Sequence, residues 1–280
     1  NNLSGSRGVD ASASQFTSLN NVHVKNWANS AVVLDQQDSI SDSEIGPTTS
    51  AVGGYGIYCG TYANVIHRCY IHDMTGAGAV GAICAVAYGS SITECLIANN
   101  TGVGIQMTNG YMCTVLRCTI YGNSSDGIQT TSYFMGTVIR NNIIAKNGGY
   151  GLNSTVAAFP ASPLYDGNAY WSNTSGARHN FDDTSTNPVD GVSPYTNTLD
   201  ITVTADPFTN DAGGDWTLNN SSPGGAQIRG HGVVGSFPGL SQVGYEDMGV
   251  FQHQDSGGTT VNSVYTQHIM MRAVDSIVGY

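Results

Sequence analysis

Charge is what this chain has least of. Only 10% of its 280 residues are Asp, Glu, Lys or Arg, against roughly 25% in an average soluble domain. Two lysines (Lys25, Lys146) and three glutamates (Glu44, Glu94, Glu246) are its whole supply of two residue types that usually clothe helices. Gly, Ser, Thr and Asn stand in their place, a mixture poor for helices and good for turns and strand edges. The nine basic residues are scattered through a chain of formal net charge −11. No Lys/Arg cluster exists to displace counterions, which excludes a nucleic-acid partner. No apolar run approaches about 18 residues, so no membrane span is expected. The chain opens Asn1-Asn2-Leu3-Ser4 with no initiator Met and no signal-peptide pattern, and is expected to be processed or part of something longer.

Familiar catalytic motifs are missing as well. There is no G-x-S-x-G elbow, no H-E-x-x-H and no phosphate loop. No C-x-x-C opens a zinc site. Neither a metal nor a cofactor is expected.

What is present is a repeat. Ile66-His67-Arg68-Cys69-Tyr70-Ile71 aligns with Ile92-Thr93-Glu94-Cys95-Leu96-Ile97, then with Val115 to Ile120 and Val138 to Ile143. Leu19 to Val24 and Ile40 to Ile45 keep the same apolar gap. The closing positions Val24, Ile45, Ile71, Ile97, Ile120 and Ile143 are separated by 21, 26, 26, 23 and 23 residues. A second landmark keeps pace: Gly56-Ile57, Ala82-Ile83, Gly104-Ile105, Gly127-Ile128 and Gly151-Leu152. The apolar runs are too short, and the spacers too rich in turn formers, for helices between them. One coil per repeat, with each short strand paired to its equivalents above and below, satisfies the pattern. The fold class is therefore all-β: a parallel β-helix solenoid with coils of about 22–26 residues and an irregular β-rich closing region.

Coils near 23 residues with these two landmarks resemble the pectate-lyase-like right-handed β-helix superfamily, over about residues 8–155. That resemblance implies a right-handed solenoid but no single function, because the fold hosts lyases, hydrolases, epimerases, adhesins and phage spikes. Gly8-Val9 lies 23 residues before Val32, so the chain is expected to begin partway round a coil. Further coils, a cap or another domain should cover that end.

Three segments are expected: regular coils over 1–155, irregular late coils and closing strands over 156–255, and a linker with an apolar segment over 256–280. Asp166 to Trp171 still reads as a late coil. Asp206-Pro207-Phe208, Gly214-Asp215-Trp216-Thr217-Leu218 and Ser221-Ser222-Pro223 are similar to the closing coils of bacterial and phage β-helix proteins, with Asp247 to Gln252 as the final strand. Ser256 to Thr260 reads as a flexible linker. The apolar residues from Val264 to Tyr280 need the helix flank or another subunit as partner.

A solenoid turns each repeat position into a row of side chains about 4.8 Å apart. Cys69, Cys95 and Cys118 form one row with Asn141 next, expected to pack as small buried hydrophobes, although inter-coil disulfides are within reach. Tyr62, Tyr88, Tyr111 and Phe134, with Tyr133 beside the last, form an aromatic row. It serves either as a stack closing a turn or as a platform for a sugar's C–H face. These five are the candidate glycan contacts. Arg68, Glu94, Arg117 and Arg140 form a third row, expected to neutralise itself along a flank. The superfamily's pectate lyases use an Arg base beside Ca²⁺-holding Asp residues, but Asp73 and Asp126 are read as lying in turns without clustering.

Arg229-Gly230-His231-Gly232 contains the G-H-G triplet of the superfamily's polygalacturonases. The acid and base carboxylates their chemistry needs have no counterpart beyond Asp182-Asp183, so no catalytic residue is assigned. The seven histidines are dispersed. N-x-S/T triplets at Asn99, Asn123, Asn153, Asn173 and Asn220 are expected to be chance. The leading expectation is a non-enzymatic extracellular or virion β-helix, a phage spike or fibre or a surface component. It would contact a surface polysaccharide and form a homo-oligomer, as a trimer or end to end. The alternatives are a polysaccharide lyase or glycoside hydrolase, and an architectural filament or shell subunit.

Overall fold

A computed structural model describes residues 7–49, 53–85, 88–132, 136–155, 164–180, 199–232 and 247–252. Each coil supplies three short strands. The first sheet stacks Val9–Asp10, Val32–Leu34, Tyr55–Cys59, Gly81–Ala85, Val103–Met107, Ile128–Thr130, Tyr150–Ser154 and Gly176–His179. The second stacks Ser18–Asn20, Ser39–Ser41, Val65–His67, Ser91–Thr93, Thr114–Leu116, Val138–Arg140 and Leu164–Asp166. The third runs from His23–Val24 through Glu44–Ile45, Tyr70–His72, Leu96–Ala98, Thr119–Tyr121, Ile143–Ala145 and Ala169–Trp171 to Ile201–Thr202. All pairing within these sheets is parallel, and the whole is a right-handed solenoid of about six turns. Only two short 3-10 turns break the all-β pattern among the described residues.

The expected apolar column is present. Ile71, Ile97 and Ile120 are direct vertical neighbours, all fully buried. Ile57, Ile83, Ile105, Ile128 and Leu152 form the column of the first sheet. The glycine of the second landmark has a steric cause. A Cβ on Gly104 would stand 2.5 Å from the Gly127 carbonyl oxygen and 2.7 Å from Ile120 Cγ2.

One coil departs from the sequence alignment. Val115 lies opposite Ile139, not Val138, and Ile120 lies opposite Ile144, not Ile143. The extra residue falls between Thr130 and Val138. Both doublets, Val138-Ile139 and Ile143-Ile144, offer an apolar residue in either register, so apolarity alone did not choose. Ile143 faces outward, into a second apolar cluster. The slip also puts Asn142, not Asn141, after Cys118 in its row.

That row shows what the inner turn requires. Asn142 Nδ2 donates to the Val115 carbonyl (3.0 Å) and to Asn168 Oδ1 (2.9 Å), and Asn142 Oδ1 accepts from the Cys118 amide (2.9 Å). The cysteine thiols occupy the same place with the same bond, donating to Ile40, Ile66 and Ile92 carbonyls at 3.6–3.8 Å. A parallel ladder of Asn100, Asn123, Asn147 and Asn173 links successive coils at 3.0 Å along the turn after the third sheet. These side chains satisfy backbone groups that the tight turns leave buried.

The ends of the column differ. After Leu152 the inward position of the first sheet is Arg178, paired with Asp200 at 3.3 Å and lying over the Tyr165 ring. At the other end Val9, Leu19 and Val22 are half-buried against the core. The expectation of covering coils or a cap there falls partly on residues 1–6, outside the described residues.

Asp166 to Trp171 is a regular coil, in register with both sheets it joins. The closing region then doubles back along the flank. Phe208–Asn210 and Asp215–Leu218 pair antiparallel about a 3-10 turn at Asp211–Gly213. Phe208, Trp216, Leu218, Ile228, Met248 and Phe251 cover the outer face of the third sheet. The third sheet is thus buried on both faces, which explains why Leu96-Ile97-Ala98 and Ile143-Ile144-Ala145 are apolar throughout. Asp247 to Gln252 is a bend, not the expected strand. Gly249 takes φ 87° while its amide donates to the Asn141 carbonyl at 2.8 Å, so the chain turns against the flank rather than adding to a sheet. The linker and the apolar segment after it lie outside the described residues.

Asn142→Leu removes the acceptor for a buried amide and should cost about 2–4 kcal/mol, read from the urea midpoint. Asn142→Cys supplies the thiol used one coil earlier and should lose less than half as much. Equal losses would contradict the shared role of the two residue types.

Candidate functional site

The tyrosine row is real, and its geometry limits what it can do. Tyr62 and Tyr88 stack with centroids 5.5 Å apart, Tyr88 and Tyr111 at 4.8 Å. Tyr88 is therefore stacked on both faces, and Tyr62 and Tyr111 each have one face against it. Toward the start of the chain the row continues as Gln36 and Gln15, joined at 2.9 Å. Tyr133 and Phe134 lie outside the described residues.

A second surface row escaped the sequence reading. The residue after the landmark Ile points outward from the first sheet. In successive coils it is Tyr58, Cys84, Gln106, Gln129, Asn153 and His179. These side chains form a connected strip. Tyr55 Oη donates to Gln106 Oε1, and Gln106 Nε2 donates to Gln129 Oε1 at 3.1 Å. Gln129 Nε2 and Asn153 Nδ2 both donate to Asp126 Oδ2, at 2.9 and 2.7 Å. His179 Nδ1 meets Asn153 Oδ1 at 3.0 Å, and the His179 ring stacks on Tyr150 at 4.7 Å. Burial pushes the Tyr55 and Tyr58 phenols up, so both remain protonated donors. The strip runs about 24 Å, five coil spacings. It offers amides and half-buried tyrosines, held in place by the buried Asp126 carboxylate, chemistry suited to hydrogen-bonding neutral polyols.

The third sheet brings together titratable groups that the sequence leaves dispersed. Glu44 Oε1 meets His72 Nε2 and His23 Nε2, each at 3.2 Å, while His72 Nδ1 meets Asp73 Oδ2 at 2.8 Å. The Tyr70 ring stacks on His72 at 3.8 Å. Burial opposes charge on both main partners. For His72 the hydrogen bonds to Asp73 and Glu44 outweigh burial and hold the imidazole above its ordinary pKa. For Glu44 the His72 hydrogen bond and the His23 charge outweigh burial and hold the carboxyl below its ordinary range. Both His72 nitrogens are engaged and its side chain is 2% exposed, so His72 itself is no open base, while its partners His23 and Asp73 stand at the surface, 38% and 45% exposed.

The charged row neutralises itself as expected, and it extends one coil further back. Arg68 holds Asp42 through two bonds (2.6 and 2.8 Å), and Arg117 holds Glu94 at 3.1 Å. Arg140 is not in this row: the slip moves it in line with Leu116, where it pairs with Asp166. Asp73 and Asp126 lie outside the strands, as expected of turn residues, and each also joins one of the two networks above.

All six cysteines are buried thiols. Burial pushes Cys84 up to about 11 and raises Cys59, Cys95 and Cys113 as well, so packing rather than reactivity describes them. His231 of the G-H-G triplet is exposed, with Nδ1 on the Arg229 carbonyl. Asp182-Asp183 lies outside the described residues. Asn123 and Asn173, in N-x-S/T triplets, spend their side chains on the inner ladder. Among the described residues no group of three or more His, Cys, Asp or Glu is placed to hold a metal ion, and no helix is long and apolar enough to cross a membrane.

A right-handed stack of parallel coils, lined by buried Asn and Cys rungs, defines a β-solenoid. The family model described as right handed beta helix region matches residues 7–158 and again 52–193, and the chain belongs to that family. No curated protein and no solved structure matches it.

Because the His72 pKa is raised by folding, its stabilising effect is full below the ordinary imidazole pKa and is lost as pH rises through the raised value. The Tm difference between wild type and His72→Gln should therefore shrink as pH rises from about 6 to 8.5. A difference that grows over that interval would contradict the cluster's protonation.

Proposed function

We propose that the chain is a non-enzymatic structural β-helix of an extracellular or virion assembly, a spike, fibre or surface component, which contacts polysaccharide along its first sheet. The observation that carries this reading is the Tyr55-to-His179 strip, whose donors and acceptors repeat at the coil spacing and are held in place by one buried carboxylate. A glycan chain is itself a periodic array of hydroxyls, and fixed amides engage it without the ordering cost of mobile side chains. The strip favours the first sheet over the tyrosine row, whose central ring, Tyr88, is stacked on both faces. The non-enzymatic reading draws support from the two best candidates for acid–base work. His72 has both nitrogens engaged, and Asp126 is 5% exposed and accepts from Gln129, Asn153 and the Tyr150 amide.

Affinity electrophoresis through gels of neutral and uronic-acid polysaccharides tests the proposal. A Gln129→Ala/Asn153→Ala double variant should bind at least tenfold more weakly than wild type, while Tyr88→Ala/Tyr111→Ala should bind like wild type. Absorbance should show no unsaturated product, with or without Ca²⁺. Retained affinity in the strip variant moves the contact elsewhere, and product formation replaces this reading with the lyase alternative.

A further inference from the structure

The three outer faces of the solenoid are dressed differently. The closing region covers the third, and the first carries the hydrogen-bonded strip. The second sheet presents Ser91, Thr93 and Thr114 together with His67 and Leu116 between two edges of distinct chemistry. One edge is apolar and open: Tyr62, Val65, Tyr88 and Met112 are 52%, 40%, 42% and 65% exposed. The other edge is the charged row, where Asp42, Arg68, Glu94 and Arg117 occupy one position in four successive coils with alternating sign.

We propose that this face pairs with the same face of a second copy of the chain, the two solenoids antiparallel about a two-fold axis along the strand direction. The charge order carries the argument, because a two-fold axis in that direction keeps each edge against its own kind and reverses the coil order. With the axis between the coils of Arg68 and Glu94, Asp42 meets Arg117 of the second copy and Arg68 meets its Glu94. Each contact occurs twice. The same axis sets Tyr62 against Tyr88 of the second copy, ring edge to ring edge, and Val65 over its Ser91. Moving the axis by half a coil spacing places like charge on like charge, and moving it by a whole spacing leaves two of the four charges facing uncharged positions. Running the axis along the solenoid instead sets the charged edge against the tyrosines. The register with the axis between the coils of Arg68 and Glu94 is thus the one that opposes all four charges to opposite ones. These side chains are paired within each chain and remain 12–25% exposed, so their charge reaches the face. Their contribution is to register and partner choice, with the aromatic edge supplying the buried area. Locally the row is neutral, so the net charge of −11 does not concentrate at the contact. The pairing involves neither the strip nor the glycan reading, and it stands or falls separately.

Sedimentation equilibrium of the full chain tests it directly. Wild type should weigh twice the chain mass, with a dissociation constant on the order of 10 μM or tighter. Tyr88→Asp/Met112→Glu should weaken association at least tenfold while the thermal unfolding curve of the monomer keeps its shape. The fully inverted variant Asp42→Arg/Arg68→Glu/Glu94→Arg/Arg117→Glu keeps an opposite-charge partner for each member of the row within a chain. It should dimerise with itself but not mix with wild type when differently labelled chains are combined. A wild type that stays monomeric, a trimer, or free mixing of inverted and wild-type chains each overturns the proposal.

Discussion

A strand of three residues forms too few hydrogen bonds to persist alone, and none of the coils here has a core of its own. What makes the molecule possible is that each coil completes the backbone hydrogen bonding of the one beneath it, in register, at three places at once. Tight turns follow from that requirement, because a coil can stack only if its corners stay compact. Compact corners bury backbone groups, and the Asn and Cys rungs exist to satisfy them. The apolar column is the reward for correct stacking: Ile71, Ile97 and Ile120 exclude water only when they lie directly above one another.

The same constraint converts a linear sequence into surface rows, and each sheet uses its rows differently. On the third sheet the rows became a second apolar layer under the closing region, with Lys146 and Tyr121 fastened to Asp211 at 2.5 Å. Toward the start of the chain the same sheet carries the Glu44–His72 cluster, where charge is retained because each member is bonded to another. On the first sheet the rows became a polar strip. Identical coils therefore support a covered face, a hydrogen-bonding face and an open face.

Much of this was legible beforehand, and the failures have physical reasons. Period and fold were visible because a column must be apolar at a fixed interval. The slip after Thr130 was invisible because Val138-Ile139 and Ile143-Ile144 satisfy that interval in two registers. The tyrosine row was found by position, but ring orientation depends on how turns close. The polar strip was missed because Gln106, Gln129 and Asn153 resemble any surface amides until the position after the landmark is followed from coil to coil. His72 and Glu44 lie 28 residues apart, a diagonal across one coil that linear inspection does not group. The covering of the third sheet joins Val250 to Thr119 across 131 residues, beyond any local signal.

Oxidative cross-linking of paired cysteine substitutions measures vertical register most directly, since neighbouring coils stand about 4.8 Å apart, within reach of a disulfide. Leu116→Cys/Arg140→Cys should cross-link readily within one chain, as Thr93→Cys/Leu116→Cys should one coil earlier. Leu116→Cys/Ile139→Cys, the pair that the uncorrected spacing aligns, should not. Preferential cross-linking of that last pair would contradict the stacking on which the rows, the strip and the open face all depend.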